Sequence, residues 1–168
     1  MATTAAAAPP VDAFVGLGSN LGDSRAEVER AVEEIAALPG TELVARSSLY
    51  RSAPLEAGGD DYVNAVVRVR TVLAPEALLS ALQAIEQAHG RERPFANAPR
   101  TLDLDLLLHG DAVIASETLT LPHPRLHERA FVLAPLAEIV PGLVVPGHGV
   151  VEALRGAVAG QRVAKLDR

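Results

Sequence analysis

The chain has 168 residues, a hydrophobic fraction of 49%, only 3% aromatic residues, no cysteine and a formal net charge of −6. This is the size of one domain with a core built from Ala, Val, Leu and Ile. The composition excludes a disulfide framework, a thiol nucleophile and a zinc–thiolate centre, and the acidic balance argues against a general nucleic-acid binder.

Met1 to Pro10 is rich in Ala, Thr and Pro and lacks the basic start and bulky apolar run of a signal peptide. We expect a disordered lead over residues 1–12, a single domain over 13–168, no membrane span, a cytoplasmic setting and a monomer. Asp12 to Leu17 reads as a strand, broken by Gly16-Leu17-Gly18-Ser19-Asn20. Those glycines form a tight turn or bring backbone N–H groups to an anion. They match neither a Walker A loop nor a dinucleotide fingerprint. Ser24 and Glu27 have the spacing of a capping box, and the helix they open carries Val28, Ala31, Val32 and Ile35 on one stripe.

Thr41 to Arg51 is strand-like, Ala53 to Asp61 is a loop, and Tyr62 to Leu73 is a second clear strand. Pro75 opens a helix with Leu78, Leu79, Leu82 and Ile85 on one face, ending at His89-Gly90. Arg91 to Pro99 is a polar loop. Beyond the next strand come a turn at His109-Gly110-Asp111, a short strand near Val113-Ile114, a break at Leu121-Pro122-His123-Pro124, a largely helical stretch from Arg125 to Ile139 and a last helix from Val151 to Val158. The order β-α-β-β-α-β followed by further elements predicts an α+β fold. It is a ferredoxin-like antiparallel sheet with helices packed on one face and C-terminal additions. The opposite face is left for a ligand.

The segment Arg100-Thr101-Leu102-Asp103-Leu104-Asp105 carries the most chemistry. On a strand, Asp103 and Asp105 share a face about 7 Å apart, while Leu102, Leu104 and Leu106 face a core. On a helix the two carboxylates would diverge by about 200° and share nothing. Asp pairs on solvent-facing strands are common, but Asp is a poor strand former and the sequence beyond is unusually apolar. Hard oxygen ligands at this spacing suit Mg²⁺, which usually comes with phosphates. Arg91, Arg93 and Arg100 supply either solubility or guanidinium forks for phosphate oxygens. His123, between two prolines, is a phosphate donor or an exposed turn histidine. Tyr62 and Asn64 share a strand face, one offering a stacking surface and the other an amide. Phe131 is a second stacking ring or a core residue.

The chain resembles the 6-hydroxymethyl-7,8-dihydropterin pyrophosphokinases of folate biosynthesis. The resemblance rests on Gly16-Leu17-Gly18-Ser19-Asn20-Leu21-Gly22, Tyr50-Arg51-Ser52-Ala53-Pro54-Leu55, Asp61-Tyr62-Val63-Asn64-Ala65, Pro99-Arg100-Thr101-Leu102-Asp103-Leu104-Asp105, Leu121-Pro122-His123-Pro124 and Arg129-Ala130-Phe131-Val132-Leu133-Ala134-Pro135-Leu136, in the family's order. It implies transfer of the β,γ-diphosphate of ATP to the hydroxymethyl group of the reduced pterin, with release of AMP. It implies two Mg²⁺ ions, bound with ATP by Asp103 and Asp105, and a pterin ring held between Tyr62 and Phe131. The pterin's edge would be read by Asn64 and by the backbone around Ser52, Ala53 and Leu55. Arg91, Arg93 and Arg100 would serve catalysis. Gln83, Glu86, Arg93, Arg100, Leu106, Thr120, His123 and Arg129 would bind ATP.

The sequence departs from many relatives in three places: Asn97-Ala98 replaces Trp-Gly, Pro124 stands where some have Tyr, and Thr118 where some have Arg. Two other readings compete with the resemblance. A binding module would show no turnover, and a nucleotidyltransferase would release pyrophosphate instead of AMP.

Overall fold

The computed structural model describes residues 9–20, 23–53, 61–90 and 102–166. Its centre is a six-stranded antiparallel sheet. β1 (Val11–Ser19) lies between β4 (Tyr62–Thr71) and β5 (Asp103–His109), and β4 pairs on its far side with both β2 (Thr41–Arg46) and β3 (Tyr50–Ser52). α1 (Ser24–Ala36) follows β1, and α2 (Pro75–His89) joins β4 to β5. The α+β fold class expected from element order is the one observed.

Both helices bury the stripe their spacing defines. Val28, Ala31, Val32 and Ile35 of α1 and Leu78, Leu82 and Ile85 of α2 meet Ala13, Val15, Leu17, Ala65, Val67, Val69, Leu104 and Leu106 on one sheet face. Pro75 occupies the first turn of α2 as expected, where its missing N–H costs nothing. The helix start in α1 differs from expectation. Asp23, not Ser24, is the N-cap and accepts from the Ala26 N–H at 3.1 Å. Glu27 is used elsewhere, bonded to His89 and Arg30, so the capping box does not form. The chain leaves α1 through Gly40 at φ +62°, where a Cβ would come within 2.4 Å of Val72.

Three strand assignments also change. β1 does not break at Gly16 but runs through Ser19, because Gly16 and Gly18 remain in register with both neighbouring strands. The expected Thr41–Arg51 strand is interrupted at Ser47-Ser48-Leu49. There the Ser47 N–H donates to Val66 O at 2.9 Å and the Ser47 hydroxyl accepts from the Val66 N–H at 3.0 Å. The sixth strand, which the sequence reading missed, comes last in the chain and is introduced below.

The C-terminal additions cover part of the second sheet face. After the hairpin β6 (Ile114–Ala115)–β7 (Thr120–Leu121) and a 3-10 turn at Leu126–Glu128 comes α3 (Ala130–Ile139), with Pro135 inside it. A second hairpin, β8 (Val144–Val145)–β9 (Gly149–Val150), precedes α4 (Val151–Ala157). β10 (Val163–Lys165) then pairs with β3 and becomes a sheet edge. Val132, Leu133 and Leu136 of α3 pack on Phe14, Val66, Leu107 and Leu108. A register shift between Phe14 and Val15 explains the run Leu106-Leu107-Leu108. Leu106 belongs to the α1/α2 side, whereas Leu107 and Leu108 join the α3 side. Among the described residues no helix is long and apolar enough to cross a membrane.

Candidate active site

Strand register sets how the polar part of the second face meets the part packed under α3. Tyr50, Asn64, Gly18 and Asp103 form one row across β3, β4, β1 and β5. Val66, Gly16 and Asp105 form the next. Cross-strand partners point to the same side of a sheet. Asp103 and Asp105 therefore project together, opposite Leu104, as their alternation predicts. Asp103 is exposed, Leu104 buried and Asp105 half-buried. The glycines beside them contribute no side chain, so the carboxylates overlook the bare backbone of β1.

β5 is an edge strand, and its outward Leu104 N–H finds an acceptor on α2, the Glu86 carboxylate at 2.7 Å. Glu86 thus holds the residue between the two aspartates. Leu106 is 3% exposed, inside the α1/α2 core, so any contact it makes with a nucleotide falls to its main chain. Gln83 is exposed on α2 and Thr120 is exposed on β7.

His123 is tied to the Asp strand through its own N–H, which donates to Leu107 O at 3.0 Å. Its Nδ1 accepts from the Arg125 N–H at 3.1 Å, which leaves the proton on Nε2. That atom stands 3.7 Å from Asp105 Oδ1, beyond direct hydrogen-bond length but inside close electrostatic range. Burial lowers the imidazole pKa. Asp105 opposes the shift, and Arg129 and Arg125 reinforce it. The ring is a neutral Nε2–H donor at neutral pH.

On the other side of the glycines, Asn64 is 4% exposed, and its Oδ1 accepts from the Ser52 hydroxyl at 2.5 Å. Tyr62 pairs with Ser52 and is half-buried. Ala53 is exposed just beyond β3. Phe131, half-buried in the first turn of α3, carries the Arg129 guanidinium 5.5 Å from its ring centroid. Leu55, Arg91, Arg93 and Arg100 lie outside the described residues.

The sequence reading missed an anchor behind β3. Glu138 on α3 accepts from the Ser48 N–H at 3.0 Å, the Ser48 hydroxyl at 2.9 Å and the Tyr50 hydroxyl at 2.6 Å. Burial would raise the Glu138 carboxyl, but these hydrogen bonds outweigh it and lower the pKa. Burial and Glu138 push the Tyr50 phenol up. Glu138 falls on a helix whose sequence is otherwise apolar, which was the available signal.

Among the described residues no cluster of three or more His, Cys, Asp or Glu could hold a metal alone. Two adjacent carboxylates on an open face still suit Mg²⁺, which keeps waters and takes the rest of its ligands from phosphates.

The family model described as 7,8-dihydro-6-hydroxymethylpterin-pyrophosphokinase (HPPK) matches residues 14–141. A 2-amino-4-hydroxy-6-hydroxymethyldihydropteridine pyrophosphokinase of Methylorubrum extorquens is 48% identical over 92% of this chain and 93% of its own length. One of Haemophilus influenzae is 42% identical over 94% of this chain and 99% of its own length. A crystal structure of Plasmodium falciparum HPPK-DHPS with pterin and p-hydroxybenzoate shares the fold, with a TM-score of 0.70 at 13% identity. The match covers 90% of this chain and 43% of that one. The chain belongs to the 7,8-dihydro-6-hydroxymethylpterin-pyrophosphokinase family and is a pyrophosphokinase enzyme.

Proposed function

We infer that the protein transfers the β,γ-diphosphate of ATP to the hydroxymethyl group of 6-hydroxymethyl-7,8-dihydropterin and releases AMP. The observation that carries this reading is the projection of Asp103 and Asp105 onto the face that also holds Asn64 and Tyr62, across two glycines. One half of that face suits a metal–triphosphate and the other a flat heterocycle with hydrogen-bonding edges.

In this reading the pterin hydroxyl oxygen attacks the β-phosphorus while the bond from that phosphorus to the oxygen bridging it to the α-phosphorus breaks; the electron pair leaves with AMP on that oxygen, and the hydroxyl proton passes to solvent. The chain has to align these groups and spread positive charge over the phosphate oxygens. Asp103 and Asp105 would hold Mg²⁺, two ions with ATP, which when bound supply charge neutralisation at the phosphates. His123, neutral with its proton on Nε2, donates to a phosphate oxygen without adding charge. Arg91, Arg93 and Arg100 serve as guanidinium donors in catalysis, and Arg129, just ahead of α3, reaches the same phosphates. Glu86, Gln83, Thr120 and the Leu106 main chain border the nucleotide. Tyr62 and Phe131 stack on the pterin, while Asn64 and the backbone of Ser52, Ala53 and Leu55 read its edge.

The test is a reaction with Mg²⁺, ATP and the reduced pterin alcohol, with the nucleotide product identified. AMP formed in step with a diphosphorylated pterin supports the reading. Release of pyrophosphate with transfer of AMP, or no turnover, overturns it.

A further inference from the structure

Asn64 is almost wholly buried, and the described residues give its side chain one hydrogen bond. Oδ1 takes the Ser52 hydroxyl proton in a buried bond, and among the described residues none accepts from Nδ2. Nδ2 is not one of the fully buried unpaired atoms among the described residues, so it is able to meet an acceptor at the face of the sheet. The Nδ2 lies over Gly18. A Cβ on that residue would come within 3.1 Å of it and within 3.8 Å of the Tyr62 ring.

Ser52 is itself 4% exposed and lies on a strand fixed from several sides. β3 pairs with β4 and β10, and Tyr50 two residues earlier is tied to Glu138. The hydroxyl is therefore presented to Asn64 from a rigid base. A carboxamide without it would be free to flip and exchange donor for acceptor.

We propose that Ser52, through its hydroxyl, and Gly18, through the side chain it lacks, are positioning residues. They hold the Asn64 NH₂ beside Tyr62 so that the site selects a heterocycle presenting an acceptor, such as a ring carbonyl, at that point. This rests on the pterin reading above and adds how the specificity is set. Ser52 acts here through Asn64, in addition to any contact made by its backbone.

The experiment uses the full chain and two independent readouts. In ligand-free protein, the Asn64 side-chain NH₂ protons should show nuclear Overhauser contacts to the Gly18 Hα protons, since Nδ2 lies over that residue. Ser52→Ala should weaken or abolish these contacts, and Ser52→Thr should restore them. In turnover, Ser52→Ala should raise KM for the pterin alcohol about tenfold, with kcat and KM for ATP within about twofold of wild type. It should also shrink discrimination against the analogue whose ring carbonyl is replaced by an amino group. Gly18→Ala, with Asn64 crowded at 3.1 Å, should reproduce the KM effect.

Unchanged Asn64–Gly18 proton contacts in Ser52→Ala overturn the positioning role even if the enzyme is active. Equal effects on the ATP and pterin KM, unaltered discrimination, or failure of Ser52→Thr to rescue also overturn it. If wild type forms no AMP, the activity reading fails, and the Asn64–Gly18 proton contacts still decide whether Ser52 orients the amide.

Discussion

The two faces of the central sheet use the same strands for different ends. The face under α1 and α2 is a continuous apolar surface, with Ala13, Val15, Leu17, Ala65, Val67, Val69 and Leu104 all buried. The other face is apolar only under α3, around Phe14, Val66 and Leu107, and turns polar where Gly18, Asn64, Asp103 and Asp105 stand. Strand alternation makes this economical, because the residues that anchor the core hold their neighbours on the site. Leu104 illustrates it. Its side chain is in the core, its N–H is held by Glu86, and the two flanking residues are the carboxylates.

If the faces are separable in this way, substitutions on one should damage chemistry and on the other stability. The largest effect belongs to the carboxylates. Asp103→Ala and Asp105→Ala should each lower kcat by about a thousandfold or more. Thermal unfolding should stay cooperative, with little change in midpoint, and near-normal rates in either variant would break the comparison. On the opposite face Leu82, fully buried in α2, should behave inversely. Leu82→Ala should cost about 3 kcal/mol in urea unfolding while the surviving folded fraction keeps its activity.

Smaller effects sharpen the picture at the joints between layers. Glu138→Ala removes the acceptor shared by Ser48 and Tyr50 and should cost about 1 kcal/mol by the same measurement. The joint between α1 and α2 is pH-dependent. The His89 side chain is 3% exposed and bonds Glu27 at 2.9 Å and Glu34 at 2.5 Å. Burial would lower its pKa, but the two carboxylates outweigh burial and raise it. A raised folded-state pKa stabilises fully below the unfolded value of about 6.5, and the contribution is lost as pH rises through the folded-state value. Wild type should therefore lose about 1 kcal/mol relative to His89→Gln between pH 6 and pH 9. Parallel stability curves for the two proteins would remove the charged joint.

The parts of this architecture readable from sequence are those with a period. Leu102 to Leu106 alternates cleanly, and both the strand and the shared side of the carboxylates follow from it. The apolar stripes of α1 and α2 were equally readable. What escaped depends on partners far along the chain. Leu106-Leu107-Leu108 violates alternation because a bulge sends Leu107 and Leu108 under α3. β10 has three residues, none of them buried, and becomes a strand only by pairing with β3. Asp23 and Ser24 are both competent caps, and Ser24 lost its reciprocal partner when Glu27 turned to His89. The motifs place Tyr62, Asn64 and the Asp pair in one candidate site. The Ser52 bond and the Glu138 anchor were invisible because each joins residues on separate elements.

The most direct test of the account measures Mn²⁺, as a paramagnetic substitute for Mg²⁺, binding together with a non-hydrolysable ATP analogue. The comparison is between wild type and the double variant Asp103→Asn, Asp105→Asn. The account predicts that wild type takes up two ions only with the nucleotide and that the double variant, still folded, takes up neither at the same concentrations. Equal ion and nucleotide binding by the two proteins would contradict it.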